Sequence, residues 1–313
     1  MNSEVVLVTG AMGCIGSWVL YHLVRQGRQA VAFDLSDDRH RLDMLLTPDE
    51  QRDIAFVRGD LTNFEQVKST IQYHRASHIV HLAALQVPFC KADPVMGAKV
   101  NVTGTVNIFQ AALETEVRHL AYASSIAVYG PADEYPPGLI PHEAPPAPRT
   151  LYGVYKVANE GTARVYWQDH SLSSVGLRPA VVYGVGRDQG LTSDPTRAML
   201  AAVRGEPFTI GWGGTAQYQL ASDVALQFID AALLPQDGAG AYNLGMPPYS
   251  MEAVVEMIRR QEPGAQITIE PNLLPFPEGY DGAALKRRFG RLYETPLDEG
   301  IRQTMEHFGR LMK

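Results

Sequence analysis

A phenol and an ammonium stand four residues apart in Tyr152-Gly-Val-Tyr-Lys156, a spacing that puts both on one face of a helix. A cation beside a tyrosine favours the phenolate, so the pair predicts a phenol whose pKa falls from about 10 toward neutrality and which exchanges a proton with a substrate. The spacing alone says little: with 14 tyrosines and six lysines in the chain, about 0.3 such pairs arise by chance. Weight comes from Ser124-Ser125-Ile126-Ala127-Val128-Tyr129-Gly130, which follows the strand-like run Leu120 to Ala123. The carboxyl ends of strands are where open α/β sheets bind ligands. Ser125, Tyr152 and Lys156 form the candidate catalytic set. Tyr155 has Asn159 four residues on, not lysine, and is the poorer acid/base.

A second constellation lies near the N-terminus, where the apolar run Val5 to Val8 feeds into Thr9-Gly10-Ala11-Met12-Gly13-Cys14-Ile15-Gly16. The first glycine suits a tight turn, the second lets a diphosphate approach the backbone, and the third allows close helix packing. Free N–H groups at the helix start then face the phosphates. The spacing is G-x-x-G-x-x-G, a variant of the usual fingerprint. A further run, Ala30 to Phe33, ends in Asp34, placed where a ribose-binding acid belongs. A carboxylate there accepts both ribose hydroxyls and repels a 2′-phosphate, so NAD is preferred to NADP. Arg39 and Arg41 offer the weaker alternative of a phosphate site, with Asp37 and Asp38 beside them.

These groups need a scaffold, and the chain supplies an alternating one. Residues 4–9, 30–34, 54–58, 78–82, 119–123 and 174–178 read as strands. The segments Gly13 to Gln26, Phe64 to His74, Pro94 to Glu114 and Leu151 to His170 read as helices. Such alternation predicts an α/β fold, a doubly wound parallel sheet of the Rossmann kind. Seven prolines between Pro131 and Pro148 exclude helix and central strand there and leave a surface loop. Beyond about residue 179 the pattern turns irregular, with short strands near 207–210 and 241–244 and helices near 194–204, 222–234, 250–261 and 296–312. The division expected is a cofactor domain over 1–178 and a smaller substrate lobe over 179–313, with interleaving of the two left open.

Composition narrows the partners. A chain of 313 residues with 45% hydrophobic and 19% charged residues describes a globular protein, and its apolar runs are too short for a membrane span. A net charge of -7 argues against nucleic acid, and Lys286 to Arg291 reads as a solvated helix end. Two cysteines, Cys14 and Cys90, build neither a disulfide framework nor a zinc site, and the nine histidines show no ligand spacing, so no metal is expected. Cys14 reads as a small buried residue of the glycine loop. The N-terminus lacks the pattern of a secretory signal, which makes the cytoplasm the expected location.

Taken together, these landmarks resemble the extended short-chain dehydrogenase/reductase family, the NAD-dependent epimerase/dehydratase group that includes UDP-galactose 4-epimerase. To the glycine loop and Tyr152 with Lys156 are added Gly59-Asp60-Leu61-Thr62, His81-Leu82-Ala83-Ala84, Asn101 to Asn107, Ser125 before Val128-Tyr129-Gly130, and Leu177-Arg178-Pro179 leading to Tyr183-Gly184. The resemblance implies that Gly10, Met12, Gly13, Cys14, Ile15, Gly16 and Asp34 hold NAD, with Asp60 and Leu61 at the adenine. Leu82, Ala83, Ala84 and Pro179 line the cofactor cleft, and Asn101 supports the nicotinamide side. It also implies Tyr152 as acid/base, Lys156 on the nicotinamide ribose, and Ser125 on the reacting oxygen. Substrate contacts are expected from Gln86, Ser125, Ile126, Tyr152, Arg187 and Thr192, with Arg187 a candidate clamp for a carboxylate. Trp212 and Tyr218 are either pocket walls or core.

Departures from the family pattern narrow the reaction. Dehydratases carry Thr-Asp-Glu before Val-Tyr-Gly; here Ser125-Ile126-Ala127 lacks the acid that would protonate a leaving hydroxyl. Nucleotide-sugar epimerases place a diphosphate-binding asparagine and arginine where this chain has Val181 and Ala216. Without those contacts, the expected substrate is a small free hydroxy compound: a sugar, sugar acid or hydroxy or amino acid. An NAD-dependent dehydrogenase is the leading expectation and an epimerase that keeps its cofactor the alternative, with a cofactor-sensing protein without turnover third. A homodimer is expected through the helices over about 97–114 and 151–169.

Overall fold

The run Val5–Thr9 is buried at every position, as a central parallel strand must be when helices cover both faces of its sheet. A computed structural model describes residues 4–235 and 237–312. Its first part comprises β1 (Val5–Thr9), α1 (Cys14–Arg25), β2 (Gln29–Asp34), α2 (His40–Asp43), β3 (Ile54–Arg58), α3 (Phe64–His74), β4 (His78–His81), α4 (Val87–Ala92), α5 (Pro94–Ala98), α6 (Gly104–Glu114), β5 (His119–Ala123), α7 (Leu151–His170) and β6 (Ser174–Arg178). The second comprises β7 (Val181–Tyr183), α8 (Asp194–Arg204), β8 (Phe208–Ile210), β9 (Thr215–Leu220), α9 (Ala221–Leu233), β10 (Ala239–Asn243), β11 (Pro248–Ser250), α10 (Met251–Gln261), β12 (Ile267–Ile269), α11 (Ala283–Phe289) and α12 (Leu297–Leu311).

Seven strands form one sheet in the order β3-β2-β1-β4-β5-β6-β10, and every neighbouring pair is parallel. Strand order reverses at β1 and β4, so a crevice opens beyond their carboxyl ends. β10 comes from past the boundary expected at residue 178, and α9 packs on α1. The two parts of the chain therefore interleave. A three-stranded sheet, β11-β9-β7, and the pair β12-β8 build the smaller lobe. Its core holds Trp212 and Tyr218, stacked with centroids 6.3 Å apart among Met251, Ile258 and Phe308. Both rings belong to that core and do not wall the cleft, because the face of β9 that carries Tyr218 turns toward the lobe's helices.

Local signals fix the elements that matter for the site. The Thr150 hydroxyl accepts the Gly153 N–H at 3.0 Å, an N-cap that starts α7 one residue before Tyr152. The helix expected over Pro94 to Glu114 is broken into α5, a π turn over Lys99–Thr103, and α6. A π turn inserts a residue into the hydrogen-bond ladder, and the fully buried Asn101 sits within it. Between residues 131 and 148 the chain runs mostly over the surface, anchored at Ile140, whose N–H donates to Gly279 O at 2.9 Å.

Candidate active site

The glycine loop follows β1 directly. Gly10 has φ +67°, and a Cβ on it would stand 2.6 Å from Ala83 N, the segment that follows β4. A Cβ on Gly16 would lie 2.2 Å from Gly10 O. Both positions are closed to any side chain, whereas a Cβ on Gly13 would meet only Gly10 O at 3.1 Å. The loop thus leaves a backbone cradle at Gly13, beside the first-turn N–H groups of α1 that have no intrahelical acceptor. This is the shape that a diphosphate requires.

A cleft of about 830 Å³ opens from this cradle. At one end it is lined by Gly10, Met12, Gly13, Cys14, Ile15, Gly16, Asp34, Asp60 and Leu61. Leu82, Ala83 and Ala84 form the middle of the wall, and Gln86, Ser125, Ile126, Tyr152, Lys156, Pro179, Arg187 and Thr192 the far end. Asn101 is not among the lining residues. Its amide instead pairs with both backbone groups of Leu85, accepting from N at 2.7 Å and donating to O at 2.9 Å. It holds the wall from behind, which corrects its assignment as a cofactor contact.

At the near end, each Asp34 carboxylate oxygen receives one backbone donor, Met12 N–H at 2.9 Å and Ser36 N–H at 3.0 Å. Carboxylate oxygens accept more than one bond each, so capacity remains for ribose hydroxyls. The two neighbouring arginines are engaged elsewhere. The Arg39 guanidinium lies 3.4 Å from the Phe56 ring centroid. Arg41 pairs with Asp188 at 2.7 Å and donates to Met12 O at 3.0 Å.

At the far end, Ser125 caps the turn Ile126–Val128, its hydroxyl accepting Ala127 N–H at 3.1 Å. Burial raises the Tyr152 phenol above the ordinary tyrosine value, opposed by a hydrogen bond with Ser125 and by the charge of Arg187. The expected fall toward neutrality is not found. Lys156 is itself buried, which lowers it to about 8, and its Nζ donates to Ala123 O at 2.6 Å while standing 5.4 Å from the Tyr152 ring centroid. The lysine is tied to the strand end and stands beside the ring without a hydrogen bond to the phenol. Tyr155 points elsewhere, donating to Pro94 O at 2.8 Å.

Beneath the set lies a buried network absent from the sequence reading. Glu160, one turn beyond Lys156, pairs with Arg178 at 2.7 Å and accepts the Ser124 hydroxyl at 2.5 Å. Arg178 also donates to Tyr129 Oη at 2.8 Å, and Tyr129 donates to Asn243 Oδ1 at 2.9 Å. The network joins α7 to the ends of β5, β6 and β10, and so fixes Tyr152 and Lys156 relative to Ser125. The signal was available: residues 152, 156 and 160 form one i, i+4, i+8 stripe.

A backbone cradle at a strand-order switch point, a carboxylate at the end of β2, and a Ser/Tyr/Lys set in the same cleft are the features of a dinucleotide-dependent enzyme on a Rossmann sheet. The profile of the NAD dependent epimerase/dehydratase family matches residues 6–245. The chain belongs to that family. Among curated relatives, a UDP-glucose 4-epimerase of Mycolicibacterium smegmatis is 29% identical, with 96% of this chain and 97% of the relative covered. The crystal structure of the UDP-glucose 4-epimerase of Thermus thermophilus in complex with NAD superposes with TM-score 0.83 and 27% identity, over 97% of this chain and 99% of that one. An L-threonine dehydrogenase from Cupriavidus necator shares the fold, with TM-score 0.84 and 22% identity over 96% and 98% of the two chains.

Proposed function

We propose that this chain is an NAD-dependent dehydrogenase acting on a hydroxyl-bearing carbon of a small sugar, sugar acid or hydroxy or amino acid. One observation carries the reading: Ser125, Tyr152 and Lys156 open into the same cleft as the glycine loop and Asp34. The amides at the start of α1 hold the diphosphate of NAD, and Asp34 holds the ribose on the adenine side with Asp60 and Leu61 nearby. Leu82 to Ala84 and Pro179 flank the nicotinamide end. When bound there, NAD supplies the hydride acceptor. Tyr152 takes the proton of the substrate hydroxyl, Ser125 orients that oxygen, and Lys156 supports the phenolate through its charge. Gln86, Ile126, Arg187 and Thr192 line the substrate end.

An epimerase is the second reading, favoured by the near full-length similarity to the Mycolicibacterium enzyme. The same residues then work on both halves of an oxidation and re-reduction. A panel of hydroxy compounds with NAD separates the two. The dehydrogenase accumulates NADH; the epimerase converts substrate without it, and that result would displace the leading reading.

Two further properties belong to this proposal. The chain works as a homodimer through α6 and α7, a reading supported by the exposure of Val154 and Val165 on α7 at 45% and 48%; a light-scattering mass of one chain at micromolar concentration refutes this. It works in the cytoplasm, which the free thiols of Cys14 and Cys90 support. Among the described residues no helix is long and apolar enough to cross a membrane.

A further inference from the structure

The loop between β7 and α8 is shaped by three glycines with positive φ, Gly184, Gly186 and Gly190. It turns consecutive side chains in opposite directions. Asp188 goes outward to the segment after β2, where it takes Arg41 at 2.7 Å and His40 at 3.0 Å. Arg187 goes inward and lines the cleft together with Gln86, Ser125, Tyr152 and Thr192. Its Nη2 donates to Thr192 Oγ1 at 3.1 Å, while its Nε is buried without a hydrogen-bond partner. Among the described residues no Asp or Glu forms an ion pair with it. Its charge is felt at the Tyr152 phenol, and the two side chains line the same cleft. A Cβ on Gly190 would fall 1.9 Å from Gln86 Oε1 and 3.3 Å from Arg187 Nη2, so the Gln86 amide and the guanidinium meet over that glycine.

A half-buried guanidinium with an orphaned donor is costly unless a ligand completes it. The planar fork of Arg matches a carboxylate with two parallel hydrogen bonds. The cleft's other cationic side chains are already engaged, Arg41 by Asp188 and Lys156 by Ala123 O. One guanidinium without a counter-charge among the described residues fits one carboxylate. Val181 lines the cleft, and Ala216 is buried in the lobe core, so neither adds a polar contact for a diphosphate.

We infer that the substrate is a hydroxy acid whose free carboxylate is bound by Arg187, with Thr192 and Gln86 beside it, while its reacting hydroxyl meets Ser125 and Tyr152. This rests on the dehydrogenase reading and specifies the substrate class. Asp188 is then a positioning residue, holding the loop so that Arg187 faces in.

The test uses the full chain and matched pairs: D-glycerate with glycerol, D-glucuronate with D-glucose, and further hydroxy acids of three to six carbons with their neutral counterparts. Turnover is read as NADH formed from NAD, and binding by calorimetry on the NADH-loaded protein. Acids are expected to bind about tenfold or more tightly than their neutral counterparts. Arg187→Gln should erase that preference, raising KM for the acid about tenfold or more with kcat less affected and NAD affinity unchanged, and Arg187→Lys should restore part of it. Equal handling of acids and neutral compounds, or no acid bound, overturns the inference. So does an Arg187→Gln variant whose loss lies in NAD affinity, which would assign the guanidinium to the cofactor. Acid binding without NADH production would instead sink the dehydrogenase reading and leave the carboxylate site standing.

Discussion

The two ends of the cleft recognise their ligands by different means. At the glycine loop the cleft offers mainly backbone groups: amides of α1 and a turn that only Gly10 and Gly16 permit, with the Asp34 carboxylate oriented by Met12 N–H and Ser36 N–H. At the other end the contacts are side chains drawn from β5, α7, and the loop before α8. A backbone site constrains sequence at fixed local spacings, whereas a side-chain site can be assembled from residues far apart in the chain. The difference predicts that changes at the far end alter reaction and choice of substrate, and changes at the near end alter choice of cofactor.

The largest expected effect breaks the far end alone. Tyr152→Phe removes the proton acceptor and little volume, so the rate should fall by about 10²–10⁴-fold while NADH titrations stay unchanged. A variant that turned substrate over as fast as the parent would refute the acid/base role, and a parent that bound NADH but turned nothing over would favour a cofactor-sensing protein.

Next comes the support shared by both sides of the reaction centre. Glu160→Gln leaves Arg178 without its counter-charge; their side chains are 13% and 9% exposed. Breaking a buried pair costs about 3–5 kcal/mol, to be read as a lower denaturation midpoint. A change under about 1 kcal/mol would show that the network adds little to the fold.

The near end has its own test. Asp34→Ala removes a charged acceptor for the ribose, a loss of about 1.5–3 kcal/mol in NADH binding, with NADPH losing less or gaining. The ratio of the two affinities should move by about tenfold or more toward NADPH, at an unaltered substrate preference. A variant that kept its NADH preference would refute the role of Asp34.

The same contrast explains what could be read from the chain. The six expected strands of the first half and the helices Phe64–His74 and Leu151–His170 stand within a residue or so of where apolar period, cap and turn signals put them. Those signals are local. β7, β9, β11 and β12 escaped detection: most run for three residues, too short for a period to develop, and β9 carries Gln217 and Gln219, whose buried amides serve distant backbone groups. The π turn escaped because the partner of its Asn101, Leu85, lies 16 residues away and leaves no local signal. Glycine loop, Asp34 and the Ser/Tyr/Lys set were legible because each sits on a regular element or within a few residues of its end. The fall in the Tyr152 pKa was misjudged because spacing shows which groups are neighbours and not how far they are buried.

That misjudgement leads to the smallest and most discriminating effect. Backbone amides do not titrate, so NAD affinity should be nearly flat between about pH 6 and 9. The far end should not be. Tyr152 sits above the usual tyrosine value because burial disfavours its phenolate, so the proton-accepting form grows as pH rises and oxidation should speed up with it. Lys156, lowered to about 8 by the same burial, holds its charge below that pH and loses it above. Its support for the phenolate then fades, and the rise in kcat/KM should bend downward above about pH 8. Lys156→Arg keeps a charge throughout this range and should straighten the profile, with a rate change of less than about tenfold at pH 7. A profile identical in parent and variant would mean that the ammonium acts only by tying α7 to Ala123 O.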